Sequence, residues 1–168
     1  MERRTTSWYS PNLNMEMPLV AYGHAGQTLL MLPTAAADYL EYERFYLVDA
    51  IKPFVEAGLI RAYSINSVNR HSLLNEQMPP HLKAELLTRY DRYITAEVLP
   101  LIRREAGEEA RPITTGASLG AFLAVLLIAA INARFQRDFA QEWIESLRVK
   151  HKAPLGEAEL ARLARKQK

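Results

Sequence analysis

Gly116-Ala117-Ser118-Leu119-Gly120 is the segment that most narrows what this chain can fold into. It follows the β-prone run 111–115 and opens an uninterrupted apolar stretch, 121–131. Two glycines around a serine, between strand and helix, permit a turn so tight that a Cβ at either would strike the neighbouring element. Ser118 at the apex is then held at a strained φ/ψ, exposed at the sheet's edge. The helix N-terminus aims its free N–H groups and its positive dipole at the same spot. A serine so placed can attack an acyl carbon. The Leu119 N–H and one N–H from the loop after an earlier strand, Thr34 or Ala35, would take the oxyanion. The same five residues also read as a plain close turn in which Ser118 only caps the helix.

The rest of the pattern alternates strands with helical stretches. Residues 17–26 end on two glycines, and Leu29-Leu30-Met31-Leu32 follows, apolar on consecutive positions as a strand buried on both faces should be. A hairpin leading into a central strand is predicted there. Residues 6–13 form a further edge strand, kept short by Pro11. Leu47, Val48, Ile51, Phe54 and Val55 share one helical face closed by Gly58, and Pro53 is predicted to kink or shorten that helix. Residues 59–65 make another strand. Pro79-Pro80 then opens a long helix, bent near Pro100 and ended by Glu105 or Gly107. This order predicts an α/β fold: a mainly parallel sheet with helices on both faces and function at the carboxyl ends of its strands. Loops 34–38, 66–75 and 116–120 lie at those ends.

Composition removes several function classes. The absence of cysteine excludes disulfides, thiolate metal sites and a cysteine nucleophile. Residues 1–133 carry 12 Lys/Arg against 14 Asp/Glu, while residues 134–168 carry 9 against 5, so the basicity belongs to the tail. The organisation expected is a core over 1–133 and a helical basic tail over 134–168. That tail lacks interleaved aromatics, and no nucleic-acid partner is expected. The apolar run 121–131 falls short of the roughly 18 residues a membrane span needs, so no membrane partner is expected and a cytoplasmic location is. No phosphate cradle and no paired-histidine spacing occurs, so neither a cofactor nor a metal is expected.

Several short pieces carry a family likeness. Tyr22-Gly23-His24-Ala25-Gly26, the strand running into Pro33-Thr34, Tyr42-Glu43, Val48-Asp49-Ala50, Arg89-Tyr90-Asp91-Arg92-Tyr93, Glu97-Val98-Leu99-Pro100 and the Ser118 motif come in one order. Together they resemble the esterase D-like branch of the α/β-hydrolase superfamily, over roughly residues 6–125. The resemblance implies a serine ester hydrolase acting on a small ester or acyl substrate, with Ser118 as nucleophile and the Thr34–Ala35 loop as half of the oxyanion hole. In that branch the acid and the base follow the serine on loops after later strands. Here the residues from 135 onward read as helical, so an incomplete α/β-hydrolase-like fold is expected, its C-terminal part missing or replaced.

The triad partners are correspondingly open. His151 is the only histidine after Ser118, and Asp138 would complete the order Ser, Asp, His. Lys150 and Lys152 flank His151, which also reads as part of a solvated linker. His24 and His81 read as structural or solvated. His71 lies in the 66–75 loop but precedes the serine. If no imidazole reaches Ser118, the alternative is a catalytically silent module, because the serine then lacks its base. Tyr39, Tyr42, Phe45 and Tyr46 read as core or as the lining of an acyl pocket. Strand 112–115 should be an open sheet edge. Phe139, Trp143, Ile144 and Leu147 share a helical face that would cover that edge in a monomer, or dock a second copy in a homodimer.

Overall fold

The computed structural model describes residues 1–151. Strands β1 (Arg3–Ser10), β2 (Met15–Tyr22) and β3 (Gln27–Leu32) come first, then helices α1 (Glu41–Arg44) and α2 (Leu47–Glu56). They are followed by β4 (Ile60–Ile65), α3 (Pro80–Tyr93), a π-helical turn (Ile94–Val98), α4 (Leu99–Ala106), β5 (Ile113–Gly116) and α5 (Leu119–His151). The five strands lie in one sheet in the order β1-β2-β4-β3-β5. The sheet is mixed: β4, β3 and β5 run parallel, whereas β1 and β2 join antiparallel. The α/β class expected from the sequence is the one observed, with its parallel half on the side of Ser118.

One local expectation fails. β2 and β3 do not form a hairpin, because β4 lies between them, antiparallel to β2 and parallel to β3. Gly23 and Gly26 do make the turn, both at positive φ, but it redirects the chain rather than folding it back on its neighbour. A Cβ on Gly26 would fall 2.2 Å from the Leu59 carbonyl carbon, so this turn packs against the start of β4 instead. Pro11 ends β1, which reaches eight residues.

Helices cover both faces. Val48 and Val55 of α2 pack with Val20, Tyr22, Met31 and Ala62 on one face. Residues alternate across a strand, so Arg61 and Tyr63 point to the opposite face, where both reach Glu105 of α4. Pro53 leaves α2 intact for three further residues before Gly58, at φ 69°, turns the chain. Pro100 acts differently. Its ring would meet the Ala96 carbonyl of a regular helix, and the helix widens into a π turn over Ile94–Val98, the turn that contains Ala96.

The chain divides into two compact units, Met1–Val125 with the whole sheet, and a second one beginning at Leu126 within α5. Within the first unit α5 buries Leu123 and Ala124. Within Leu119–Glu142 a window of 18 residues reaches a mean hydropathy of 1.7, which is long and apolar enough to cross a membrane by length and composition alone. The uninterrupted run 121–131 understates this, because an occasional charge does not cancel a long apolar window. The tail face of Phe139, Trp143, Ile144 and Leu147, with the docking it was expected to provide, lies outside the described residues.

Candidate active site

The register brings three loops to one edge of the sheet. Leu32, last in β3, pairs with Gly116, last in β5, while Met31 pairs with Ser64 near the end of β4. Loops 33–40, 66–79 and 117–118 therefore leave the parallel strands side by side. Arg70 Nε donates to the Ala36 carbonyl at 2.9 Å, joining the first two.

Ser118 sits at the third, exposed, at φ 51°. That is the left-handed region, which costs a residue with a Cβ of order 1 kcal/mol or more and persists only where the surroundings enforce it. The surroundings here are two glycine contacts. A Cβ on Gly116 would stand 2.5 Å from the Gly120 carbonyl carbon, and one on Gly120 would stand 2.3 Å from the Leu32 carbonyl oxygen. Neither tolerates a side chain. The Ala121 and Phe122 N–H groups donate to the Ser118 carbonyl, so α5 starts directly at the serine. Leu119, first in that helix, has no intrahelical acceptor for its N–H.

The facing loop is held by two successive residues of the 40–42 segment. Glu41 is buried, and its Oε2 accepts the Thr34 N–H at 2.8 Å while its Oε1 accepts the Thr34 hydroxyl. Tyr42 donates its hydroxyl to the Leu32 carbonyl at 2.5 Å. Burial, and then the Glu41 charge, push this phenol up to about 12, against the opposing hydrogen bond from Ala117, the residue before Ser118. The Thr34 N–H is thus spent on Glu41. Among the described residues no acceptor takes the Ala35 N–H.

The remaining residues named from the sequence fall in different places. His24 lies in the turn before β3, beside Gly58 at the opposite edge of the sheet. His81 is exposed near the start of α3. His71 is exposed in the loop after β4, on the Ser118 edge. Asp138 is exposed on α5 in the second unit, and the His151 side chain lies outside the described residues. Among the described residues, no imidazole hydrogen-bonds the Ser118 hydroxyl. The four aromatics separate: Tyr42 is core and Tyr39 packs against it, while Phe45 and Tyr46 are 73% and 74% exposed. No cluster of three or more metal-ligating side chains occurs among the described residues.

Solved structures share this fold. The S-formylglutathione hydrolase of Staphylococcus aureus superposes with a TM-score of 0.52 at 15% identity, over 71% of this chain and 48% of its own. The fold is of the α/β-hydrolase type. A ferulic acid esterase matches with a TM-score of 0.52 at 18% identity, over 71% of this chain and 51% of that one. The substrate-bound fluorophosphonate-binding serine hydrolase F of S. aureus matches with the same score and identity, over 71% and 48%. This chain spans about half the length of each. No protein-family model and no curated protein matches the sequence. At these identities the likeness is one of fold, and the fold is that of esterases and hydrolases.

Proposed function

We propose that the chain carries the nucleophile and oxyanion half of a serine ester hydrolase acting on a small ester or acyl substrate. The observation that carries this reading is Ser118 at φ 51°, between two glycines that admit no side chain, at the start of α5. A backbone that stores strain at an exposed serine is what an α/β-hydrolase nucleophile requires, and a plain cap does not. In the proposed reaction the Ser118 hydroxyl attacks the acyl carbon and its proton passes to a base. The alcohol leaves with that proton, and water then cleaves the acyl-serine ester. The Leu119 and Ala35 N–H groups would receive the oxyanion. The base would be His71, which lies on the Ser118 edge of the sheet. Asp138 and His151 keep the order Ser, Asp, His, but α5 sets them 13 residues apart, about 20 Å, too far for one to orient the other.

The test is covalent labelling with a fluorophosphonate, read by mass spectrometry, beside hydrolysis of a short-chain activated ester. We expect an adduct on Ser118, none in Ser118→Ala, and loss of turnover by about 10³-fold or more in His71→Ala, which removes the base. A second reading, a module that folds without turnover, draws on the lack of a described imidazole at Ser118. An unlabelled wild-type chain would establish it and end the first.

A further inference from the structure

We propose that Glu41 is a positioning residue for the oxyanion hole: its buried carboxylate fixes Thr34 so that the next amide, Ala35, is presented to the oxyanion formed at Ser118. This rests on the hydrolase reading for its chemistry, though not for its geometry.

Glu41 is 5% exposed as a residue and makes no ion pair among the described residues. Taking such a group out of water is costly unless its hydrogen bonds compensate. Both of its oxygens are used, and both on one residue: Oε2 by the Thr34 N–H at 2.8 Å and Oε1 by the Thr34 hydroxyl. Fork-like contact with one residue fixes both its position and its rotation, which a single bond does not. Thr34 follows Pro33 directly after β3, and Pro33 has no N–H of its own, so Thr34 is the first amide past the strand that can be tied down. With Thr34 held, the direction of the following peptide, which carries the Ala35 N–H, is set.

Neighbouring contacts favour a role at the site over a general one. Tyr42, next in sequence, ties the Leu32 carbonyl and interacts with Ala117 of the elbow. Arg70 holds the Ala36 carbonyl from the other side at 2.9 Å. Glu41 thus ties the first residue of the loop, while Tyr42 ties the end of β3 and meets Ala117 beside Ser118. Misplacing an oxyanion donor by about 1 Å is enough to cost on the order of 10²-fold in rate.

The experiment compares Glu41→Gln and Glu41→Leu with wild type on three readouts: fluorophosphonate labelling of Ser118, kcat and KM on an activated ester, and amide hydrogen exchange at Thr34 and Ala35. Gln keeps a carbonyl for the Thr34 N–H and can donate to its hydroxyl, so labelling and exchange within a few-fold of wild type are expected. Leu fills the space without an acceptor. Labelling and kcat are expected to fall about 10²-fold with KM little changed, and Thr34 exchange to rise at least about tenfold at an unchanged melting temperature. If the Leu variant does not fold, Thr34→Val removes the hydroxyl half alone and should give about tenfold on kcat. Wild-type exchange at Thr34 in Glu41→Leu would overturn the inference, as would equal losses in the Gln and Leu variants. A wild-type chain that is never labelled ends the hydrolase reading. The exchange data then still decide whether Glu41 holds the loop.

Discussion

Glu97 and Glu41 each fasten a loop to a helix, and neither forms an ion pair among the described residues, yet their settings are opposite. Glu97, on the π turn, is half-buried at the antiparallel end of the sheet. It accepts the Trp8 indole N–H at 2.7 Å, the Ser10 hydroxyl at 2.8 Å and the Asn12 side-chain amide at 2.7 Å. Burial pushes its carboxyl up, but those donors outweigh burial and leave it below the usual carboxylate range. Trp8 also stacks on Tyr93, with ring centroids 5.7 Å apart. Glu41, at the parallel end, is more deeply buried and serves one residue only. The antiparallel end is held by side chains that bring in many partners. The parallel end is held by backbone approaching backbone across glycine, with one carboxylate set on a single loop residue. If Glu41 places the Ala35 amide as proposed, the first end is built for stability and the second for placement.

The largest effect expected is at Gly120. Its Cα faces the Leu32 and Pro33 carbonyl oxygens, and an added Cβ would stand 2.3 Å and 2.8 Å from them. Backbone rather than a pliable side chain would have to yield. Gly120→Ala should therefore cost about 3 kcal/mol or more and abolish Ser118 labelling. Urea denaturation gives the first figure. A midpoint equal to wild type would mean that α5 does not approach β3 so closely, and the contrast between the two ends would collapse.

Glu97 tests the other side of the contrast. Glu97→Ala leaves the Trp8, Ser10 and Asn12 donors without their common acceptor and should cost about 2 kcal/mol, with no more than a few-fold change at Ser118. The pH dependence has a definite sign. A carboxyl lowered on folding stabilises above its unfolded value near pH 4.3, and that contribution disappears as pH falls through the folded value. Wild type and Glu97→Gln should differ by a constant amount above about pH 5 and converge in more acidic solution. Divergence towards acid would reverse the assignment. Glu43 is lowered in the same sense, chiefly by its hydrogen bond from Arg3, so Glu97→Gln keeps part of the acid sensitivity.

What was legible in the sequence follows the same division. The tight turn at 116–120 could be read because its cause is steric and confined to five residues, and a Cβ on Gly116 or Gly120 would clash as their spacing predicts. The α/β class could be read because strands and helices alternate. The pairing of β2 could not, since Gly23 and Gly26 announce a turn but not which strand will lie beside it, and β4 arrives only after α2. Glu41 gave no signal. In Leu40-Glu41-Tyr42-Glu43 it resembles the solvated acid of a first helical turn. Its partner, Thr34, lies seven residues back and becomes its neighbour only through the loop's fold. Tyr42 was visible as an aromatic of the region, but not as the contact between strand and tight turn.

Glu43 supplies the smallest prediction and the sharpest control. It stands two residues from Glu41, and it too holds distant parts of the chain, accepting from Arg3 Nε at 2.6 Å and from the Tyr22 hydroxyl at 2.7 Å. Water reaches this pair, however: the side chains of Arg3 and Glu43 are 43% and 32% exposed. Exposed ion pairs gain little, because solvent screens the attraction and two long side chains must be ordered to make it. Removing Arg3 also leaves Glu43 with the Tyr22 hydroxyl, so no buried charge is abandoned. Arg3→Ala should therefore change stability by only about 0.5 kcal/mol, less still at 1 M salt where the screening length is about 3 Å. Labelling of Ser118 should stay at the wild-type rate. A loss at Ser118 comparable to that of Glu41→Leu would show that the whole of α1 governs the site, and the distinction between a buried carboxylate that places a loop and a solvent-reached one that pairs with Arg3 would not survive.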